Sequence, residues 1–203
     1  QASSIPGEYI VPELMSKFRE EYPLVKFYLE QSDSSRVEEN LLEQKGEIGF
    51  LGYLGNANLH YEKILTDPVV LITPRNDKFR SLAGKELSPE DFIHEPFVWR
   101  EQGSATRKEF EAALSSMGHD PKQLNVVARA NSMEAIMQSV GHGLGVSVVS
   151  KIAVECSLHS ERFLSFPIKG MELDREFYLV WSKNTALSPV AETFKNFVLN
   201  RTK

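Results

Sequence analysis

The chain has 203 residues, of which 41% are hydrophobic and 25% are charged, as is ordinary for a globular protein. This length accommodates one large domain or two small ones on a shared chain. The formal net charge of −5 argues against a broadly basic surface, so the chain by itself is a poor candidate for binding DNA phosphates. No apolar run approaches the length of a membrane span, and the N-terminus shows no signal-peptide pattern.

Cysteine and histidine usage argues against a metal site. The single cysteine, Cys156, excludes an internal disulfide and a cysteine-based zinc site. It lies among apolar residues of a predicted helix, so we expect a buried side chain, and a redox sensor is the less favoured alternative. The five histidines lack metal-ligand spacing, and His142 between two glycines is expected in a turn. We therefore predict neither a metal nor a cofactor.

Helices and strands alternate along the first part of the chain. Pro23 ends a run of apolar residues at helical spacing, and Ser35 with Glu38 resembles a capping box at the start of the next helix. The predicted elements are helix 7–22, strand 25–30, helix 35–44, and strands 47–52, 61–66 and 69–73. The chain begins at what looks like the end of a strand, from which we infer that residues are missing upstream.

The same alternation continues to the end. Gly118 stands where a glycine ends a helix, and Asn131 with Glu134 resembles a second capping box. The predicted elements are a helix after Ser88-Pro89, strand 97–100, a helix from Ser104, strand 124–128, a helix after Asn131, strand 146–149, a helix from Lys151, strand 176–182 and a helix after Ser188-Pro189. Predicted inward-facing residues are Phe110, Ala113, Leu114 and Met117, then Met133, Ile136, Met137 and Val140, then Val190, Phe194, Phe197 and Val198. The alternation predicts an α/β protein with largely parallel sheets.

Four stretches in register resemble the effector-binding domain of LysR-type transcription regulators. They are residues 2–12 with the helix end 18–23, residues 47–52, residues 100–107, and residues 131–136 with 140–146. The similarity of each stretch is weak evidence by itself, but the four occur in the family's order and together span most of the chain. The resemblance implies an α/β fold like that of type II periplasmic binding proteins, in which two Rossmann-like subdomains are joined by two crossover strands and the ligand occupies the cleft.

On this resemblance the chain divides into two subdomains. Subdomain I comprises 1–71 plus 173–203, and subdomain II comprises 72–172. The crossovers are expected near 71–74 and 167–175. The winged helix-turn-helix of the family is absent from this chain, so contact with DNA is expected only through that missing N-terminal domain.

Polar loops at predicted helix starts are the candidate ligand site, because helix N-termini offer unpaired N–H groups and a positive dipole end. The candidate ligand-binding residues are Ser3, Ser4, Gln102, Gly103, Ser104, Thr106, Asn131 and Ser132. The alternative is that these side chains only cap helices. At Asp33 a carboxylate favours capping or a cationic ligand. Arg100 and Arg107 either neutralise an anionic effector or pair with Glu101 and Glu111.

The resemblance implies a sensor rather than an enzyme. We expect a cytoplasmic ligand-sensing and oligomerisation domain that binds a small polar or anionic metabolite and modulates transcription. A homodimer or homotetramer is expected, with the first helix, Tyr22 and residues 26–31 at the interface. The alternative is an extracytoplasmic solute-binding receptor of a transporter, and a third possibility is an enzyme with this fold. The Gly141–Gly145 run lacks the lysine and preceding strand of a phosphate loop, and no catalytic triad order stands out.

Overall fold

The computed structural model describes residues 1–171 and 173–201. The chain forms two compact units: unit 1 contains Gln1–Thr66 and Arg175–Lys203, and unit 2 contains Asp67–Asp174. Unit 2 is therefore one continuous stretch inserted between the two stretches of unit 1. The second predicted subdomain boundary falls at Glu172, which lies outside the described residues.

Helices and strands alternate through most of the chain. The helices are α1 at Val11–Glu21, α2 at Ser34–Leu42, α3 at Asp77–Arg80, α4 at Pro89–Phe92, α5 at Ala105–Ser116, α6 at Met133–Gly141, α7 at Lys151–Glu155 and α8 at Pro189–Arg201. The strands are β1 at Gly49–Leu51, β2 at Leu59–Pro74, β3 at Pro96–Arg100, β4 at Asn125–Ala130, β5 at Ser147–Ser150, β6 at Phe163–Phe166 and β7 at Asp174–Ser182. A π turn at Pro6–Ile10 precedes α1, and short 3₁₀ turns occupy Pro121–Gln123 and Ser160–Arg162.

The sheet of unit 1 has β7 between β1 and β2. β1 and β7 are antiparallel, with Phe50 opposite Leu179. Ala2 forms parallel bridges to Gln31 on one side and to Phe50 on the other. As expected, residues 1–3 are strand-like and run directly into the first helix.

Aromatic rings fill the core of unit 1 around α1. The centroid of the Phe18 ring lies 5.0 Å from that of Phe194, 5.1 Å from that of Phe197 and 5.9 Å from that of Phe27. These are edge-to-face contacts, which the ring quadrupoles favour. The prediction that Val190 faces this core is wrong, since its side chain borders a surface groove at the start of α8.

Unit 2 is built on both parallel and antiparallel pairs. β2 pairs antiparallel with β5 and with β6, while β3 and β4 are parallel, with Arg100 opposite Ala130. A parallel bridge joins Phe97 to Val146. The prediction of largely parallel sheets is thus wrong for three pairs, because β1 with β7, β2 with β5 and β2 with β6 are all antiparallel.

The core of unit 2 confirms most of the predicted inner helix faces. Phe110 and Leu114 of α5 are fully buried, as are the four predicted positions of α6. Met117 is exposed rather than inward-facing, because it is the C-cap of α5 and the following Gly118, with φ of 87°, turns the chain away. The buried cluster includes Leu71, Phe79, Phe92, Phe97, Trp99, Phe110, Leu114, Val148, Phe166 and Met171.

Several predicted elements differ from the structure. Residues 25–30 form no strand, because their pairing is limited to the bridge at Gln31. The strands predicted over 61–66 and 69–73 are one strand, β2, that continues through Asp67-Pro68. Strand β6 and helix α3 were not predicted, since both are four residues long and show no clear periodicity.

Cys156 is exposed, so the prediction of a buried thiol is wrong. The cause is the short length of α7, which ends at Glu155 and leaves Cys156 as its C-cap, with its N–H donating to Ile152 O at 3.0 Å. Among residues 1–171 and 173–201, no helix has both the length and the apolar character needed to cross a membrane.

Candidate functional site

Two polar loops of unit 2 leave the same edge of its parallel strand pair. β3 ends at Arg100 and β4 ends at Ala130, and these two residues are opposite each other in the register. The loop after β3 leads into α5, and the loop after β4 leads into α6. The starts of two helices, with their unpaired N–H groups, therefore lie at one end of this sheet.

Ser104 caps the first of these helices. Its Oγ accepts a hydrogen bond from Arg107 N at 3.4 Å, and its backbone oxygen accepts one from Lys108 N at 3.2 Å. The side chains of Ser104 and Thr106 are buried, whereas Gln102 and Gly103 are exposed. The exposed part of the predicted loop is thus residues 102–103, and the two hydroxyl-bearing residues lie beneath it.

Ser132 caps the second helix. Its Oγ accepts from Ala135 N at 3.3 Å, so the predicted capping box of Asn131 with Glu134 is wrong. The Glu134 carboxylate instead accepts from Gln138 Nε2 at 2.7 Å, one turn along the same helix. Asn131 is exposed at the strand end and is not the capping residue.

Both candidate arginines of this region pair with acids. Arg100, whose side chain is 5% exposed, donates from Nε and Nη2 to the two oxygens of Glu101 at 2.7 and 2.8 Å. Burial acts to raise the pKa of Glu101, but hydrogen bonds and charge from Arg100, with a smaller contribution from Arg107, lower the pKa below its ordinary value. Arg107 donates to Glu111 at 2.7 Å. The pairing alternative is therefore the one observed.

Three segments meet in the same way in unit 1, around the parallel bridges of Ala2. Ser3 is buried, and its Oγ donates to Phe50 O at 3.4 Å. Ser4 is half-buried at the first helical position. Gly7 N donates to Ser3 O at 2.9 Å, and Pro6 has no N–H. The helix-start donors directed away from the helix are therefore the N–H groups of Ser4 and Ile5.

Asp33 begins the next helix of unit 1. Its Oδ1 accepts from Arg36 N at 2.9 Å, so Asp33 is the N-cap of α2. The capping role expected for Asp33 is confirmed. The predicted capping box of Ser35 with Glu38 is wrong, because the helix starts earlier, at Ser34.

Glu38 instead holds the loop that follows β1. Its carboxylate accepts from Tyr53 Oη at 2.9 Å, from Asn56 N at 2.9 Å, and from Tyr61 Oη. Burial, and then the hydrogen bond and charge of Glu38, raise the pKa of Tyr53 to about 12 and raise the pKa of Tyr61 as well. Gly55 packs against this carboxylate, since a Cβ there would lie 2.1 Å from Glu38 Oε1. Sequence reasoning missed this cluster because the three partners follow no short spacing.

No group of three or more His, Cys, Asp or Glu side chains could hold a metal ion within 1–171 and 173–201. His142 is exposed at the C-cap of α6, before Gly143 with φ of 87°, so its expected turn position is confirmed. His60 stacks on Trp181 with ring centroids 5.1 Å apart.

Comparison with known proteins assigns the chain to a family. The sequence profile of the LysR substrate binding domain matches residues 1–203. This chain belongs to the LysR substrate-binding domain family. The structural neighbours of this chain are LysR effector-binding domains, so the fold predicted from the resemblance is confirmed as type II periplasmic-binding-protein-like.

Relatives within the LysR family are transcription regulators. The HTH-type regulator MJ0300 of Methanocaldococcus jannaschii is 34% identical over 197 residues, which cover 97% of this chain and 66% of the relative. The activator CmpR of Synechocystis sp. is 29% identical over 198 residues, covering 97% of this chain and 64% of CmpR. The chain thus spans about two thirds of the length of these relatives.

A solved LysR-family structure has the same fold. The CcmR regulatory domain of Synechocystis PCC6803, in complex with 2-PG, superposes with a TM-score of 0.87 at 24% identity. The superposition covers 100% of this chain and 95% of the CcmR chain.

Proposed function

We propose that this chain is the effector-sensing and oligomerisation domain of a LysR-type transcription regulator. The match of the family profile to residues 1–203 supports this function best. The relatives described above are regulators, which favours a sensor over the receptor of a transporter. DNA binding belongs, in this proposal, to a separate domain of the regulator, in agreement with the net charge of −5 here. The domain works in the cytoplasm and carries out no chemical step.

The two units correspond, in this proposal, to the two subdomains expected for the family. The effector is a small polar or anionic metabolite. It is bound by the residues predicted from the sequence: Ser3 and Ser4 in unit 1, and Gln102, Gly103, Ser104, Thr106, Asn131 and Ser132 in unit 2. Burial divides their roles, because Ser3, Ser104 and Thr106 are buried whereas Gln102, Gly103, Asn131 and Ser132 are exposed.

The two helix-capping serines, the buried Ser104 and the exposed Ser132, act by shaping the loops. Ser104 and Ser132 use their hydroxyl oxygens as caps, which leaves backbone N–H groups at the helix starts for a ligand oxygen. The exposed side chains of Gln102 and Asn131 supply further donors. An anion is favoured because helix N-termini carry partial positive charge. Arg100 and Arg107 are paired with Glu101 and Glu111, so the proposed donors are the backbone N–H groups and not these guanidinium groups.

Isothermal titration calorimetry with 2-PG, inorganic phosphate and sulfate tests this proposal. We expect at least one of the three to bind and to raise the melting temperature. Gln102→Ala and Ser4→Ala should each weaken the binding of whichever ligand binds the native chain. Ser116→Ala is the matched control, since Ser116 is an exposed helix serine whose hydroxyl donates to Ala113 O at 2.7 Å. Binding that is unchanged in both site variants would contradict the assignment of the site.

Oligomerisation is proposed to use the face predicted from the sequence, which is α1 with Tyr22 and residues 26–31, together with the adjoining Leu24. Leu24 and Tyr28 are 95% and 87% exposed, which is unusual for large apolar side chains. Val25, Phe27 and Leu29 alternate with the exposed side chains of this segment and are half-buried. A second copy of the chain covers these side chains in the proposed assembly.

A further inference from the structure

We propose that unit 2 contains a second ligand site, which binds an organic ammonium ion with a short apolar tail. The site is a cavity of about 700 Å³ bordered by β2, α7 and the segment that follows β6. This volume is in the range of small-molecule sites in proteins. It shares none of the residues assigned to the effector, so it is independent of the proposed function.

The floor of the cavity is apolar. Val69 of β2, Phe166 at the end of β6, and Ile168 and Met171 beyond it are buried side chains that line the cavity. The cavity exists because β6 stops pairing with β2 at Phe166, and the returning chain rejoins β2 only where Val69 N donates to Leu173 O at 2.9 Å. The gap between these two pairings leaves apolar surface that an alkyl group can cover.

The rim of the cavity has an excess of negative charge. Of the described residues, Glu86, Glu155 and Asp174 line it together with one cation, Lys151. Lys151 Nζ lies 3.6 Å from Glu155 Oε1, so these two charges offset each other. Glu86 and Asp174 remain as carboxylates at the mouth of an apolar cavity. This arrangement complements a cationic head with an apolar body, and it disfavours a carboxylate or phosphate.

The position of the cavity gives such a ligand contact with both connecting segments. Its lining includes Pro68–Val70 of β2 and Leu173–Asp174, which adjoin the points where the chain enters and leaves unit 2. An ammonium ligand would therefore contact the two stretches of chain that link unit 2 to unit 1, whereas the loops of the proposed effector site lie at strand ends of β3 and β4.

Hexylammonium, hexanol and hexanoate form a matched set of probes, because they share a six-carbon tail and differ in the charge of the head. Each is titrated into the isotopically labelled chain, and backbone amide shifts are followed by NMR. We expect saturable shifts for hexylammonium at Val69, Ile168 and Met171, with a dissociation constant on the order of millimolar. Hexanol should bind more weakly, and hexanoate should bind weakest. Equal binding of hexanol and hexylammonium, absence of saturable shifts, or shifts confined to other residues would overturn the proposal.

The double variant Glu86→Gln with Asp174→Asn tests the rim. Since exposed charge pairs contribute modestly, each of the two substitutions should contribute about a two- to fivefold weakening of hexylammonium binding, and the double variant combines both effects. Glu134→Gln is the control, because Glu134 is an exposed acid of the same unit that does not line the cavity. Unchanged affinity in the double variant would overturn the proposal. A failure of 2-PG, phosphate and sulfate to bind would bear only on the effector site, which these cationic probes do not test.

Discussion

Glu38 and Tyr53 are joined by a hydrogen bond of 2.9 Å that ties helix α2 to the loop after β1. The same carboxylate accepts the backbone N–H of Asn56, so both the side chain and the backbone of the loop depend on one residue of the helix. The loop leaves β1 beside the strand-like start of the chain, next to the helix start at Ser4. Glu38 therefore fixes the surroundings of one proposed ligand contact without being a ligand itself.

Replacing Glu38 by Gln should lower the pKa of Tyr53 from about 12 part of the way towards its ordinary value of 10.0. Only part is lost, because burial is the largest cause and remains. A raised folded-state pKa contributes stability that is complete below pH 10 and lost as the pH rises towards 12. The native chain should thus lose more stability than Glu38→Gln over this window. Tyrosinate absorbance, compared with Tyr53→Phe to isolate this ring among the six tyrosines, checks the shift. An unchanged titration of Tyr53 in Glu38→Gln would contradict it.

Glu101→Gln should destabilise the chain by about 1 kcal/mol at neutral pH, since Arg100 stays buried without its carboxylate partner. The cost is modest because Glu101 is itself partly exposed. The lowered pKa of Glu101 means that its contribution is present above the ordinary value of 4.5 and is lost as the pH falls through the folded-state pKa. Urea unfolding at a series of pH values should therefore show the two proteins converging in acid. Glu13→Gln, which removes an exposed pair with Lys17, should change stability by less than about 0.5 kcal/mol.

Gly145→Ala should cost about 1–3 kcal/mol. A Cβ at this position would lie 2.2 Å from Pro96 O, and the backbone there is held by the hydrogen bond from Val146 N to Pro96 O at 2.8 Å. Gly103→Ala is the control, because a Cβ there meets nothing within 4 Å. Thermal unfolding compares the melting temperatures of the two variants. Equal melting temperatures would show that the backbone around Gly145 can move to accommodate the added Cβ.

Ser132→Ala and Asn131→Ala should separate capping from binding. Loss of the Ser132 cap should cost about 1 kcal/mol of stability. Asn131→Ala should leave stability unchanged and weaken the binding of 2-PG or phosphate, whichever binds the native chain, about two- to tenfold. Calorimetry and thermal unfolding on both proteins give the comparison. If Asn131→Ala bound the anion normally, Asn131 would have to be removed from the proposed site.

Leu24→Asp should raise the dissociation constant of the proposed dimer at least about tenfold, because it places a charge in an apolar contact. Sedimentation velocity over a range of concentrations measures the change. Leu158→Asp is matched in chemistry and exposure, since Leu158 is 91% exposed in unit 2, and it should leave assembly unchanged. A monomeric native chain at high concentration would remove the basis for this interface.

Periodicity alone predicted the helices with strong apolar faces. The four inward positions of α6 are all buried, and α5 follows its predicted face until Met117, where the chain turns at Gly118. Prediction failed where the outcome depends on pairing between distant residues. Residues 25–30 alternate as a strand does, but a strand needs a paired neighbour, and the pairing here is confined to the bridge between Gln31 and Ala2, to which Glu30 contributes one carbonyl oxygen.

The candidate site was predicted by position better than by role. Helix starts at Ser104 and Ser132 were found from residue type, but which of two adjacent polar residues caps α6 depends on where the strand before it ends. Asn131 and Ser132 are both polar and both exposed, so residue type alone does not show which of them caps the helix. Glu38 was read as a local capping residue, whereas its partners lie 15, 18 and 23 residues away. Contacts at such separations follow from the tertiary fold and not from a short pattern.

The insertion of unit 2 within unit 1 has a consequence for biosynthesis. Residues 67–174 leave the ribosome as an uninterrupted block, so unit 2 has all of its strands before translation ends. Unit 1 has to wait, because β7 is the strand that stands between β1 and β2 and it is made after both. Until then β1 and the first part of β2 are nascent segments without their shared partner. Termination at residue 174 would leave a polypeptide in which unit 2 is whole and unit 1 lacks the middle strand of its sheet.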